Sequence, residues 1–230
     1  MPFRFVYFDL DDTLLDHHAA QDAALAALHH DYAALFGDHD LADVQTVYAA
    51  ANRRLWQAYG EGRITRHDLQ HERFAALIDA FELDGIAPLA MGAQYMRRYA
   101  EAWHWMDGAE AAFLRVAHRY PVGILTNGFA EAQHAKLDRF PILRERSEAI
   151  VVSEEVGVMK PQPGIFAHAT QAAGVHADDI LYVGDSLHSD VEGGTAFGWH
   201  VAWFRGDVSR VDERTRTTVI ADWEALDALL

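Results

Sequence analysis

"YFDLDDTLLD", residues 7–16, sets Asp9, Asp11, Asp12 and Asp16 directly behind an apolar run that starts at Phe3. Carboxylates gathered at the end of a buried strand repel one another, so the segment is either a turn rich in capping residues or a device that uses the repulsion. Asp9, Asp11 and Thr13 fit the spacing D-x-D-x-T. On the chemical reading Asp9 is a nucleophile, Asp11 a general acid and base, and Thr13 fixes the tight turn between them. On the plainer reading all three serve a turn or a helix N-cap. Asp12 reads as a cap or turn residue in either case, and Asp16 as the start of a hinge.

The rest of the chain favours the chemical reading. Short apolar runs recur at 3–9, 122–127, 149–155, 180–185 and 199–204, with helix-like stretches at 129–139, 163–174 and 190–197. Nearly continuous apolar strands alternating with helices predict a parallel sheet buried on both faces. Three runs finish in polar residues: Asp9, Thr126 with Asn127, and Asp185. Ligands of open parallel sheets sit beyond the carboxyl ends of the strands, where these groups fall. Residues 17–104 have helical periodicity and no strand signal, with Gly60 and Gly62 as stop signals and Thr65 as an N-cap. The expected architecture is α/β: a Rossmann-like core from residues 1–16 and 105–230, with an all-helical domain, 17–104, inserted after the first strand.

Composition narrows the partners. The chain has 230 residues, 50% hydrophobic and 23% charged, enough for one sizeable core with an insertion and unlike a disordered chain. No apolar run approaches the roughly 20 residues of a membrane span. The N-terminus lacks the basic and apolar regions of a signal peptide. There is no cysteine, hence no disulfide or thiolate chemistry, which fits a cytoplasmic protein. Nineteen basic residues against 35 acidic ones give a formal charge of −16, which repels nucleic acid polymers and anionic lipid. The Arg53–Arg54 and Arg97–Arg98 pairs read as solvated helix faces. A small anion is still admissible, because one pocket can be positive on a negative protein.

Three further elements carry chemistry. Thr126 and Asn127 offer a hydroxyl and backbone N–H groups to phosphate oxygens, or form an ordinary Asn-Gly turn. Lys160, one of only two lysines, follows an apolar run in "VGVMKPQPG" and supplies a compact point charge, or is an exposed loop residue. Asp185 and Asp190 in "YVGDSLHSD" suit a hard cation, or cap the following helix. The adjacent pairs His17–His18 and His29–His30 point to different helix faces and read as solvated, which argues against a histidine-based metal site.

Four such signals in this order resemble the motifs of the haloacid dehalogenase-like superfamily of phosphatases. They match Asp9 with Asp11, then Thr126, Lys160, and Asp185 with Asp190. The insertion sits where that family carries a helical cap, so the resemblance spans essentially the whole chain. "FDLDDTL", "LTNGF", "VSEEVGVMKPQPGIF" and "GDSLHSD", with "LWQAYGEGRIT" and "LQHERF" in the cap, are most similar to the pyrimidine 5'-nucleotidase branch.

The resemblance implies a Mg²⁺-dependent phosphomonoester hydrolase acting through an aspartyl-phosphate on a small phosphorylated metabolite. Mg²⁺ is implied on Asp9, the Asp11 main-chain carbonyl and Asp185. The phosphoryl group is implied on Thr126, Asn127 and Lys160, with Asp190 orienting Lys160 or a metal-bound water. The charges are consistent with this. Two unit charges about 4 Å apart cost roughly 4 kcal/mol at an effective dielectric near 20. Four carboxylates with Asp11 protonated are neutralised by Mg²⁺ and Lys160 together. The alternatives are a phosphoglycolate or sugar-phosphate phosphatase, a phosphomutase, a 2-haloacid dehalogenase or a silent phosphate-ligand binder. Asp11 argues against the dehalogenase, whose departing halide needs no proton. Trp56 and Tyr59, at helical spacing, read as cap core.

Overall fold

A computed structural model describes residues 3–211 and 215–230. Its first strand, β1 (Phe5–Phe8), is buried along its whole length. Successive side chains of a strand point to opposite faces. Phe5 and Tyr7 accordingly join one hydrophobic core, and Val6 and Phe8 the other. β1 pairs in parallel with β2 (Val122–Thr126) on one side and β4 (Ile180–Gly184) on the other. With β3 (Ser147–Val152), β5 (His200–Phe204) and β6 (Thr217–Ile220) they form a six-stranded parallel sheet, ordered β3-β2-β1-β4-β5-β6. The α/β parallel fold expected from the sequence is therefore present.

Two details differ from the sequence reading. The apolar run at 149–155 does not continue as strand: β3 ends at Val152, and Ser153–Val156 forms one helical turn. Glu154 is used there as an acceptor, its Oε2 taking the Ala130 N–H at 2.7 Å. The sixth strand was not expected. It is a four-residue edge strand, "TTVI", only half-buried until Ile220, so it lacks the apolar signature of the inner strands. The stretch 190–197 is also not one α-helix: a π-helical turn, Leu187–Glu192, precedes helix Gly193–Phe197.

The chain divides into two compact units, one ending at Asp16 and resuming at His104, the other His17–Trp103. In the first, the segments beside the two crossings run together: Asp16 N–H donates to His104 O at 3.1 Å and Met106 N–H to Leu14 O at 2.8 Å. The second unit is helical, over His17–Asp31, Ala33–Phe36, Leu41–Gly60, Arg66–Ala80 and Pro88–Glu101. Thr65 caps Arg66–Ala80 in a reciprocal box with Asp68. Helix Leu41–Gly60 buries Val44, Tyr48, Ala51, Leu55 and Ala58. Trp56 and Tyr59 lie beside that stripe, half-buried, with their rings edge to face at 5.7 Å. No helix among the described residues is long and apolar enough to cross a membrane.

Candidate active site

The loop after β1 is a tight turn. Leu10 O accepts from Leu14 N–H at 3.0 Å and Leu15 N–H at 2.8 Å, while Asp12 N–H donates to Leu15 O at 2.7 Å. Asp12 takes the left-handed conformation, φ 62°, which Asp tolerates better than most residues. Asp9 is tied to the neighbouring strand by its N–H, which donates to Val183 O at 2.8 Å. Thr13 is fully buried and reaches beyond its own turn, its hydroxyl lying 3.4 Å from Asp185 Oδ1.

Lys160 is buried beneath this loop. Its ammonium donates to Asp9 Oδ1 at 2.8 Å, Asp190 Oδ1 at 2.7 Å and the Tyr182 hydroxyl at 2.6 Å. Three donor directions thus meet three acceptors, as an ammonium requires. Tyr182 Oη lies 2.9 Å from Asp190 Oδ1 and 3.1 Å from Leu125 O. Ser186 N–H holds the other Asp190 oxygen at 3.0 Å. Gly184 makes room for that carboxylate: a Cβ there would lie 2.5 Å from Asp190 Oδ2.

One cation faces an excess of carboxylates. Burial disfavours the Lys160 ammonium, but Asp190 and Asp9 outweigh burial and raise its pKa. Burial also drives the Asp9 pKa well above the ordinary carboxylate value; Lys160 opposes this, while Asp190 and Asp185 add to it. Asp185 is pushed up to about 7, by burial first and then by Asp190 and Asp12. One ammonium cannot neutralise the group.

Among the described residues, Asp9, Asp185 and Asp190 are the one carboxylate group able to hold a cation, with an oxygen from each within 4.8 Å of the others. The donors are all oxygen, and their uncompensated charge suits a hard divalent ion such as Mg²⁺. Asp190 is already engaged by Lys160, Tyr182 and Ser186, so Asp9 and Asp185 have the greater capacity for a metal. No histidine belongs to the group. His17, read as solvated, is instead half-buried, with Nδ1 at 2.6 Å from the Tyr99 hydroxyl.

Thr126 and Asn127 stand at the end of β2. Asn127 fastens the Lys160 segment: its Nδ2 donates to Lys160 O at 3.0 Å and its Oδ1 accepts from Lys160 N–H at 2.9 Å. Thr126 Oγ1 accepts from Gln133 Nε2 at 2.7 Å. Asp11 lies close by, its two oxygens 2.6 and 2.8 Å from Lys136 Nζ.

Gln133, Lys136 and Tyr182 were not expected from the sequence. Tyr182 looks like any apolar strand residue, and Gln133 carries no signal of its own. The scarcity of lysine applies to Lys136 as much as to Lys160.

The fold and this cluster define an α/β enzyme with a carboxylate-rich centre at the carboxyl edge of its sheet. Residues 3–198 match the family model of haloacid dehalogenase-like hydrolases. The HAD-hydrolase YfnB of Bacillus subtilis is 32% identical over 216 residues, covering 90% of this chain and 86% of that protein. Its magnesium-bound crystal structure superposes with a TM-score of 0.83 at 28% identity, covering 100% of this chain and 99% of that one. The pyrimidine 5'-nucleotidase YjjG of Escherichia coli is 32% identical, covering 88% of this chain and 86% of that protein. PynA of Streptococcus pneumoniae, also a pyrimidine 5'-nucleotidase, is 28% identical, covering 89% and 84%. The chain belongs to the haloacid dehalogenase-like hydrolases.

Proposed function

We propose that the chain is a Mg²⁺-dependent phosphomonoesterase that works through an aspartyl-phosphate, with pyrimidine nucleoside 5'-monophosphates as substrates. The observation that carries the reading is the buried Lys160 ammonium, 2.8 Å from Asp9 Oδ1 and 2.7 Å from Asp190 Oδ1. It supplies a fixed positive charge beside the proposed nucleophile. The two pyrimidine nucleotidases, similar over nearly the whole chain, support the substrate class.

In the first step an Asp9 carboxylate oxygen bonds to phosphorus as the bond to the ester oxygen breaks. Asp11, as the acid, must carry a proton on an oxygen that here accepts from Lys136, and it gives that proton to the leaving oxygen. A water then attacks the same phosphorus and passes a proton back to Asp11, while the Asp9–phosphorus bond breaks and orthophosphate leaves. The Thr126 hydroxyl and the Asn127 backbone hold the phosphoryl oxygens where charge builds up, and Lys160, whose three donors are taken by Asp9, Asp190 and Tyr182, acts on them through its charge. Asp190 keeps Lys160 pointed at Asp9. Asp9, Asp185 and the Asp11 carbonyl would hold Mg²⁺, which would supply the charge that neutralises these carboxylates against the phosphate dianion.

The test is orthophosphate release with Mg²⁺ and with EDTA over UMP, dUMP, dTMP, AMP, GMP, phosphoglycolate and hexose phosphates, ranked by kcat/KM. Mg²⁺-dependent preference for UMP, dUMP or dTMP is expected. Preference for phosphoglycolate or a sugar phosphate keeps the chemistry and discards the nucleotidase reading. Release from no ester sinks both.

A further inference from the structure

The chain has two lysines among its 19 basic residues, and both are about 3% exposed. Lys160 is bound to Asp9, and Lys136 is bound to Asp11. The first pairing belongs to the site as described. The second is not required by that chemistry, and it comes from a helix, Ala130–Arg139, that carries none of the motif residues.

We propose that Lys136, assisted by Gln133, is a positioning residue that fixes the orientation of the Asp11 carboxyl for proton transfer. The proposal rests on the phosphomonoesterase reading. Lys136 Nζ spans both Asp11 oxygens, at 2.6 and 2.8 Å. One helical turn earlier, on the same face, Gln133 Nε2 lies 3.0 Å from Asp11 Oδ2. The same Gln133 nitrogen is 2.7 Å from Thr126 Oγ1 and 3.0 Å from Asn127 O. The helix therefore links the proton-transfer group to the end of β2 proposed to hold phosphate. Its own first turn is anchored by the Glu154 carboxylate on Ala130 N–H.

A purely stabilising role explains this arrangement poorly. An ion pair with one partner buried and the other half-buried is often no better for stability than apolar side chains of similar volume. The Lys136 stem already lies in the core, where a methionine would fill the same space. What an ammonium adds is a fixed carboxyl plane. Asp11 has to meet first a leaving oxygen and then a water, and a misplacement of about 1 Å can lower a rate about a hundredfold.

The experiment compares two esters. The departing alkoxide of ethyl phosphate needs a proton, whereas p-nitrophenolate leaves without one. Because kcat/KM reports events up to loss of the leaving group, it isolates the acid step. Lys136→Met is expected to lower kcat/KM for ethyl phosphate at least about 30-fold, and for p-nitrophenyl phosphate less than about threefold. Lys136→Arg is expected to recover part of the loss. On an Asp11→Asn background, Lys136→Met is expected to cost less than about twofold more, since the two act through one group.

Equal losses on both esters, no loss, or full additivity with Asp11→Asn would overturn the proposal. Should Lys136→Met lack a cooperative melt, Gln133→Leu decides by the same contrast, with ethyl phosphate again losing more than the aryl ester. Wild-type turnover with equal losses removes this proposal alone. A wild-type chain that hydrolyses neither of these esters nor any in the panel above removes the phosphomonoesterase reading and this proposal together.

Discussion

The Lys160 ammonium lies 2.8 Å from Asp9 Oδ1, across 151 positions of sequence. Asp190 shares the same cation at 2.7 Å, so a single charge holds two buried carboxylates. Removing it should therefore do more than remove a ligand.

Lys160→Met is expected to destabilise the protein by about 3 kcal/mol at pH 8, because breaking a buried pair strands its partners. The loss should shrink at pH 5. Asp9 already has a raised pKa in the folded state, from burial and its acidic neighbours, so it takes up a proton more readily folded than unfolded. Urea denaturation in EDTA at the two pH values checks this. A loss independent of pH would show that Asp9 does not carry the stranded charge. Orthophosphate release should fall at least about a hundredfold.

Asp185 gives a pH prediction with a defined window. Its folded pKa is pushed up to about 7, while the unfolded value is the ordinary carboxylate one. Its favourable contribution is complete below about pH 4 and is lost as pH rises through about 7. In EDTA, Asp185→Asn should melt above the wild type at pH 8, with the gap closing toward pH 4. Adding Mg²⁺ at pH 8 should stabilise the wild type more than the variant. A variant that melts below wild type at pH 8 in EDTA would contradict the assigned strain.

Gly184→Ala tests the packing that holds Asp190. A Cβ would lie 2.5 Å from Asp190 Oδ2, so the carboxylate must leave the Ser186 N–H that it accepts at 3.0 Å. A destabilisation of about 1–3 kcal/mol is expected. Mg²⁺ affinity, read from the metal dependence of turnover, should fall about tenfold as the support for the site shifts. Unchanged affinity would mean that Asp190 has no part in shaping the metal site.

The sequence made some of this legible and hid the rest for physical reasons. Inner strands are buried on both faces, so β1, β2, β4 and β5 stand out as unbroken apolar runs. β6 does not, because an edge strand keeps its threonines half-exposed. The run at 149–155 misled for the converse reason: apolarity carries on the strand signal until Ser153, where the backbone turns helical. Asp9, Asp11, Asp185 and Asp190 were visible because carboxylates are conspicuous at strand ends. Their partners were not. Lys136 and Gln133 meet Asp11 only after the chain has folded back over more than 120 positions, and Tyr182 contributes a hydroxyl from within an apolar strand.

The central claim is that Asp9 carries the phosphoryl group. The most direct measurement is to quench the Mg²⁺ enzyme during turnover of UMP, reduce it with borohydride, and map the peptides by mass spectrometry. Borohydride converts an acyl phosphate to an alcohol but leaves a free carboxylate unchanged. The account predicts homoserine at position 9, absent without substrate and absent in Asp9→Asn. An enzyme that releases orthophosphate yet keeps an unmodified aspartate at position 9, or is reduced at another residue, would contradict it.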